Sequence, residues 1–272
     1  MDMAELGRRG LVLLGCGKMG SALLAGWLVR GLPAGSVGVI DPAPSDWLER
    51  QGVRLNDDLP ENPAVTIIAV KPQIMTEALP HIESHGGGKT LILSVAAGTP
   101  IARYESAFGP GTPVIRVMPN TPAAIGHGIS AIIGNATASA AHLALAESLM
   151  GVVGQVVRLE HEGQIDAVTA VSGSGPAYVF HMVEALAAAA EREGLAPALA
   201  MQLARATVSG AGRLLDARHE DTPATLRRNV TSPGGTTEAA LEVLMDATDG
   251  LAPLMARAVR RARERSEELA SG

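Results

Sequence analysis

The first part of the chain alternates short apolar runs with segments in which apolar residues recur at helical spacing. An apolar run without polar alternation is typical of a strand in a parallel sheet that helices cover on both faces. The pattern therefore predicts an α/β fold with a doubly wound parallel sheet, and a helix over 73–84. The predicted strands are residues 11–14, 37–40, 65–70, 91–94, 114–118, 129–133 and 153–159.

From about residue 162 the strand pattern stops and only helical periodicity remains. The sequence therefore predicts two domains, at 1–161 and 162–272, of which the second is entirely helical. Because a few Ala-rich helices bury limited area alone, we expect this domain to pack against a second copy of the chain. Its predicted helices run from the SGSGP segment at 172–176 to Gly194, from Pro197 through Leu214, over 238–245, and from Leu251 to the charged residues beyond 262.

The first predicted strand leads into a G-x-G-x-x-G pattern at Gly15, Gly17 and Gly20. In a doubly wound fold the three glycines allow a tight turn, close approach of a pyrophosphate, and packing of the helix on the sheet. The N–H groups at the start of that helix bind phosphates. Asp41 follows the second strand, at the spacing of a ribose-binding carboxylate. The pattern alone could be only a tight turn, but this context predicts a dinucleotide site.

Charge and composition narrow the functional classes. The formal net charge of −6 argues against binding to nucleic acid, which requires clustered basic residues. The arginines of residues 257–265 recur at near-helical intervals and, together with Glu264, Glu267 and Glu268, are typical of an ion-paired helix face. Cys16 is the only cysteine, so an intrachain disulfide is excluded. His81 and His85 have a spacing that can hold zinc, but they also suit the last turn of a helix, and we expect no metal.

The amino-terminal segment has two arginines before residues 11–14, as an export signal would. Its apolar stretch is shorter than the roughly 7 to 15 residues of a signal core. No apolar run approaches the ~20 residues needed to span a bilayer. We therefore expect a cytoplasmic protein with no membrane partner.

Six motifs in a fixed order resemble those of pyrroline-5-carboxylate reductase, and the resemblance covers nearly the whole chain. It implies a Rossmann-type doubly wound sheet followed by an all-α helical dimerisation domain. It also implies hydride transfer from NADPH or NADH to 1-pyrroline-5-carboxylate, a cyclic imino acid, to give L-proline. The implied assembly is a homodimer, or a ring of dimers. The motifs are GCGKMG at 15–20, AVKP at 69–72, SVAAG at 94–98, RVMPNTP at 116–122, SGSGPAY at 172–178 and TSPGGTT at 231–237.

The resemblance also implies the site residues. The substrate carboxylate would lie against Gly235, Thr236 and Thr237, the Thr237 hydroxyl would bond the ring nitrogen, and Glu220 would lie near that nitrogen. From the residues alone, the loop at 231–237 precedes a helix and predicts an anion site. Thr237 taken by itself is better explained as a helix cap, and only the preceding TSPGG reverses that interpretation. The implied cofactor residues are Gly15, Cys16, Gly17, Lys18, Met19, Gly20, Asp41, Ala69, Val70, Lys71, Pro72, Val95, Ala96, Ala97, Asn120 and Asn229.

The second strand departs from the family pattern for NADPH, which offers small polar or basic groups at this point. Here Asp41 is followed by Pro-Ala-Pro, and no basic residue occurs before Arg50. A carboxylate suits a ribose hydroxyl and repels a ribose phosphate. We therefore expect NADH to be used at least as well as NADPH.

Two other functions fit a similar two-domain plan. A β-hydroxyacid dehydrogenase generally relies on a lysine in its helical domain, and this chain has no lysine from residue 162 onward. Another imine reductase is the second alternative among enzymes. A dinucleotide sensor without catalytic activity is the alternative from another class, and the intact TSPGGTT loop argues against it.

Overall fold

The chain divides into two compact units in a computed structural model, which describes residues 3–271. Unit 1 consists of the chain up to Gly173 together with the residues from Arg263 onward, and unit 2 is Ser174–Ala262. Residues 162–173, which the sequence analysis places in the helical domain, bond to unit 1. Glu162 Oε1 lies 2.7 Å from Arg116 Nη1, and the Ser172 carbonyl accepts a bond from the Asn120 amide. The boundary between the two compact units therefore follows Gly173.

Unit 1 contains an eight-stranded sheet whose strands are β1 Leu11–Leu14, β2 Val37–Ile40, β3 Arg54–Leu55, β4 Val65–Ile68, β5 Leu91–Ser94, β6 Val114–Met118, β7 Gly128–Gly134 and β8 Gly154–Arg158. Their order is β3-β2-β1-β4-β5-β6-β7-β8. Neighbours from β3 to β6 are parallel, which confirms the doubly wound fold. β7 runs antiparallel to β6, so the expectation of a wholly parallel sheet was wrong. The connection at 119–127 is too short for the crossover that a parallel pair requires.

The helices of unit 1 are α1 Met3–Arg9, α2 Lys18–Val29, α3 Asp46–Glu49, α4 Met75–Ala78, α5 Ile101–Phe108, α6 Ala140–Met150 and α7 Ile165–Val168. α7 continues into a π-helical turn at Thr169–Gly173. The helix predicted over 73–84 is mostly 3-10, with α4 as its one α-helical turn. Pro80 explains the difference, because proline cannot donate the backbone bond of an α-helix interior.

The helices of unit 2 are α8 Gly175–Arg192, α9 Pro197–Ala217, α10 Pro223–Asn229, α11 Thr236–Leu244 and α12 Leu251–Ser271, the last of which ends in unit 1. The expectation that the last helix stops at the charged residues was wrong. Arg265 pairs with Glu268 at 2.6 Å, and the buried Ser266 hydroxyl donates to Asp166 on α7.

Among the described helices, none has the length and apolar character that a membrane span requires.

The core of unit 1 lies on both faces of the sheet. Leu11 and Leu13 of β1 belong to one apolar cluster, and Val12 and Leu14 belong to the other. This explains why β1 is apolar at every position. On the first face Trp27 of α2 is fully buried, and its indole N–H donates to the Leu149 carbonyl of α6 at 2.9 Å.

Unit 2 buries much less apolar surface than unit 1. Its fully buried apolar side chains are small alanines, such as Ala187 and Ala200, whereas Phe180 is 65% exposed and Leu203 and Leu254 are also exposed. Large exposed apolar side chains gathered in one domain mark an association surface. The burial pattern therefore agrees with the expected contact between copies of the chain.

His85 generates a prediction about acid stability. It is buried, its Nδ1 lies 2.8 Å from Thr66 Oγ1, and burial lowers the pKa of its imidazole. Below pH ~6.5 the unfolded chain therefore binds a proton more readily than the folded chain, and the free energy of unfolding falls as pH falls. This one group contributes a slope of at most about 1.4 kcal/mol per pH unit. We expect His85→Gln to reduce that slope in urea unfolding between pH 5 and 7.5.

His81 provides the matched control, because it lies exposed on the same 3-10 segment. His81→Gln should retain the wild-type slope. Equal slopes for wild type and His85→Gln would contradict the assignment of this acid sensitivity to His85.

Candidate dinucleotide and anion sites

Most of the predicted cofactor residues lie at one edge of the sheet. The neighbouring strands β2, β1, β4, β5 and β6 are parallel, so their carboxyl ends lie at the same edge. The chain order reverses between β1 and β4, and ligands of doubly wound sheets bind at such a switch point. The residues that follow these strand ends are those of the glycine loop, Asp41, residues 69–72, residues 95–97 and Asn120.

The glycine loop at 15–20 has the geometry that its pattern predicts. Gly15 has φ +89°, and a Cβ there would lie 2.8 Å from a Val70 methyl group. A Cβ on Gly20 would collide with the Gly15 carbonyl oxygen. Gly17 differs, because a Cβ there would meet no atom within 4 Å. Its missing side chain therefore leaves space on the open side of the loop.

The start of α2 supplies the donors at this open space. Gly17 is the N-cap and no side chain caps the helix. In the described part of the chain, the N–H groups of Lys18, Met19 and Gly20 have no acceptor. Unpaired N–H groups at a helix start attract phosphate oxygens. The loop therefore combines free donors with room for a diphosphate.

Asp41 is held rigidly beside this loop. Its Oδ2 accepts the Cys16 N–H at 2.7 Å and its Oδ1 accepts the Ala43 N–H at 3.0 Å. Asn56 holds its backbone, because Asn56 Oδ1 accepts the Asp41 N–H at 2.9 Å and Asn56 Nδ2 donates to the Asp41 carbonyl at 3.0 Å. The sequence analysis assigns no ribose contact to Asn56 and does not predict its bonds to Asp41. The available signal was an Asn just after β3, since Asn tolerates the positive φ of +62° seen here.

Cys16 contributes its backbone rather than its thiol. Burial and the neighbouring Asp41 carboxylate raise the pKa of the thiol to about 11. The thiol therefore stays protonated near neutral pH and is a poor nucleophile.

The other strand ends differ in accessibility. Lys71 is exposed and begins the turn after β4, Val95 and Ala96 are buried, and Ala97 is exposed. Asn120 is already engaged, because its Oδ1 accepts the Ile129 N–H at 2.9 Å and its Nδ2 donates to the Ser172 carbonyl at 3.2 Å. One N–H and one lone pair of its amide remain for the cofactor contact that the sequence predicts.

A second candidate anion site lies in unit 2, at the start of α11. Gly234 has φ +67° and its N–H donates to Glu238 Oε2 at 2.6 Å, while the Gly235 N–H donates to the Ser232 carbonyl at 3.0 Å. Gly235 is the N-cap, so Thr237 is not the helix cap. Within residues 3–271, the N–H groups of Thr236 and Thr237 and the Thr237 hydroxyl have no hydrogen-bond partner. The Glu238 N–H has no hydrogen-bond partner among these residues either, so the site offers three free amides and one free hydroxyl.

Glu220 and Asn229, the other predicted site residues of unit 2, are exposed. The Glu220 carboxylate lies 3.1 Å from His219 Nε2 and is 91% exposed. Across the described residues, no hydrogen bond or ion pair joins either side chain to the loop at 231–237. Their places in the site stay predictions.

Comparison with known proteins gives two family matches. The model described as pyrroline-5-carboxylate reductase dimerisation matches residues 162–269. The model described as NADP oxidoreductase, coenzyme F420-dependent, matches residues 10–98. The pyrroline-5-carboxylate reductase of Pseudomonas aeruginosa is 38% identical over 266 residues, which cover 96% of both proteins.

Solved structures agree with these matches. A pyrroline-5-carboxylate reductase from Coxiella burnetii is 33% identical with a TM-score of 0.89, covering 96% of this chain and 98% of that chain. A pyrroline carboxylate reductase from Plasmodium falciparum, solved with NADP bound, is 26% identical with a TM-score of 0.80, covering 97% and 99%. The comparisons confirm the predicted resemblance and the order of a Rossmann-type domain before a helical dimerisation domain.

Alanine at two glycines of the loop should have different effects. Gly17→Ala should weaken cofactor binding, and Gly20→Ala should lower stability. We expect Gly17→Ala to change the free energy of unfolding by less than about 1 kcal/mol, because its Cβ meets no protein atom. The same methyl group occupies the open space, so NADH affinity should fall at least about tenfold. Titration of NADH fluorescence and urea unfolding measure the two effects.

Gly20→Ala is the control, because its Cβ would collide with the Gly15 carbonyl. It should lower the free energy of unfolding by about 1–3 kcal/mol. Wild-type NADH affinity in Gly17→Ala would show that the open space is not the phosphate site.

Proposed function

The chain belongs to the pyrroline-5-carboxylate reductase family, and we propose that it reduces 1-pyrroline-5-carboxylate to L-proline by hydride transfer from a reduced nicotinamide cofactor. The observation that carries the proposal is the start of α11, where three free N–H groups lie next to a free hydroxyl. A small cyclic imino acid has the complementary groups, a carboxylate that accepts from amides and a ring nitrogen that pairs with a hydroxyl.

We propose that the N–H groups of Thr236 and Thr237 hold the substrate carboxylate, with Gly235 giving it a close approach. The Thr237 hydroxyl then bonds the ring nitrogen and fixes the orientation of the C=N bond. Glu220 is proposed to lie near that nitrogen, where a carboxylate stabilises the positive charge of a protonated imine.

This chemistry depends mainly on alignment. The reduced nicotinamide supplies the hydride to the imine carbon, and the protonated ring nitrogen becomes the amine. A protonated imine already accepts a hydride readily, so the chain needs no strong acid side chain. Holding two rings in a reactive geometry contributes about 7–11 kcal/mol. The absence of a reactive thiol at Cys16 agrees with this mechanism.

The cofactor residues of unit 1 fit a dinucleotide. Gly17 and the free N–H groups of α2 would hold the diphosphate, and Asp41 would bind the adenine-side ribose. Lys71 and Asn120 are proposed to line the nicotinamide pocket, with residues 95–97 opposite. Asn229 is proposed as the contact from the helical domain.

The chain forms a homo-oligomer through its dimerisation domain. The exposed apolar side chains of unit 2, such as Phe180, support this surface as the contact. For the larger assembly we keep the ring of dimers that the family resemblance implies. We also propose that the protein acts in the cytoplasm, which the single cysteine supports, and without nucleic acid, which the acidic charge supports.

The fixed carboxylate of Asp41 generates a prediction about cofactor choice. Both of its oxygens accept backbone N–H groups, so its negative charge stays where a 2′-phosphate would lie. In assays with 1-pyrroline-5-carboxylate we expect kcat/KM with NADH to equal or exceed that with NADPH. Asp41→Asn should raise the ratio of kcat/KM with NADPH to kcat/KM with NADH by about tenfold, because it removes this charge.

The same assay tests the proposed activity. Oxidation of either cofactor that depends on 1-pyrroline-5-carboxylate supports the reductase, and its absence with both cofactors would favour a dinucleotide sensor. A strong NADPH preference in the wild type would refute the role of Asp41 while leaving the activity intact.

Thr237 generates the sharpest prediction for the substrate site. Thr237→Ala removes the free hydroxyl but retains the N–H, so kcat/KM for the imino acid should fall by about tenfold or more, equivalent to about 1.4 kcal/mol. Thr237→Ser retains the hydroxyl and should keep most of the activity. An unchanged rate in Thr237→Ala would exclude the hydroxyl from the reaction.

A further inference from the structure

Tyr104 of α5 carries a buried hydroxyl that the proposed reaction does not use. Its side chain is fully buried, and its hydroxyl oxygen lies 2.5 Å from Ser94 Oγ at the end of β5. Burial raises the pKa of the Tyr104 phenol, and hydrogen bonding to the side chains of Ser94 and Thr99 opposes this rise. Ser94 and Thr99 are themselves buried. The phenol is therefore bonded to Ser94 at one end of a short loop and is close to Thr99 at the other end.

The loop between these hydroxyls is residues 95–98. Its first part is held from within, because Ser94 Oγ accepts the Ala96 N–H at 3.2 Å and the Val95 N–H donates to the Ile68 carbonyl at 3.0 Å. Ala97 is exposed at the tip, and Gly98 turns the chain with φ +69°. The buried ends therefore present one exposed stretch of backbone at the carboxyl edge of the sheet.

The helix that carries Tyr104 is also anchored at its first residue. Glu162 Oε1 accepts the Ile101 N–H at 2.9 Å and a hydrogen bond from Arg116 Nη1 at 2.7 Å. The Arg116 side chain is nearly fully buried. Because α5 is anchored at its start, the Tyr104 hydroxyl is a stationary point against which the loop is held.

We propose that Tyr104 is a positioning residue that, through Ser94 and Thr99, holds the backbone of residues 95–98 in the orientation needed to align the nicotinamide ring for hydride transfer. This inference rests on the proposed function, which places residues 95–97 against that ring. Ser94, Tyr104 and Thr99 are called the hydroxyl clamp below. The clamp acts on ring orientation and leaves the glycine loop, which would hold the diphosphate, unchanged.

Tyr104→Phe tests the clamp, because it removes one hydroxyl and retains the ring that fills the core. With saturating cofactor and 1-pyrroline-5-carboxylate, kcat should fall by about tenfold, since small misplacements of reacting groups cost this much or more. With NADH deuterated at the transferred position, the kinetic isotope effect should rise as hydride transfer becomes slower. The affinity for ADP-ribose, which lacks the nicotinamide, should stay within about twofold.

Thr112→Val is the matched control. Thr112 is also buried and follows the opposite end of α5, where its hydroxyl donates to the Phe108 carbonyl at 2.7 Å and accepts the Gly87 N–H at 3.1 Å. Its loss should lower stability without changing kcat or the isotope effect. Thr99→Val should reproduce the Tyr104→Phe kinetics, and Thr99→Ser should restore them, which keeps the test valid if Tyr104→Phe fails to fold.

Two results would overturn the clamp. One is a wild-type kcat and isotope effect in both Tyr104→Phe and Thr99→Val, and the other is an equal loss of NADH and ADP-ribose affinity. If the wild type shows no turnover, the proposed function fails separately. The clamp is then judged on binding alone, where a loss of NADH affinity without a loss of ADP-ribose affinity supports it and equal retention overturns it.

Discussion

The close approach of the Gly15 carbonyl oxygen to the place that a Cβ on Gly20 would occupy determines where α2 begins relative to β1. This approach leaves no room for a side chain, and it places the first N–H groups of the helix at the sheet edge. Two further contacts tie neighbouring strands to the same loop. The Cys16 N–H bonds Asp41 after β2, and Val70 after β4 packs against Gly15. The ends of three adjacent strands are thus joined through six residues.

The two candidate anion sites share one physical device, a helix start with unpaired N–H groups. At α2 the N–H groups of Lys18, Met19 and Gly20 are free, and the open space at Gly17 suits the extended charge of a diphosphate. At α11 the N–H groups of Thr236, Thr237 and Glu238 are free, whereas those of Gly234 and Gly235 are bonded within the loop. The sites differ in what lies beside the amides. The hydroxyl of Thr237 at α11 suits a small ligand that has a ring nitrogen next to its carboxylate.

Sequence alone predicted the central strands well. In β1, for example, Leu11 and Val12 are buried on opposite faces of the sheet, so the strand appears in the sequence as a continuous apolar run. The glycine loop and Asp41 were also predictable, because their spacing is local. Long-range features were not. The direction of β7 depends on the length of its connection, and the bond from Asn56 to Asp41 depends on how β3 lies beside β2.

The hydroxyl clamp shows the same limit on prediction. Tyr104 has an ordinary helical position in the sequence, and only the packing of α5 on β5 brings its hydroxyl to Ser94. The helix α1 was also missed, although Leu6 is fully buried, because seven residues give too few turns for a clear periodicity. The sequence allows Thr237 two roles, as a helix cap or as a substrate contact. The structure excludes the first, because Gly235 is the N-cap.

The path of α12 has a consequence for how the protein is made. This helix begins in unit 2 and ends in unit 1, where Ser266 bonds Asp166. Domains emerging from the ribosome generally fold as soon as their residues are available. Here the nucleotide-binding unit lacks its final helical turns until residues 263–271 have been synthesised. The nucleotide-binding unit therefore completes its fold only after the whole helical unit, which is inserted in the chain before these residues, has been synthesised.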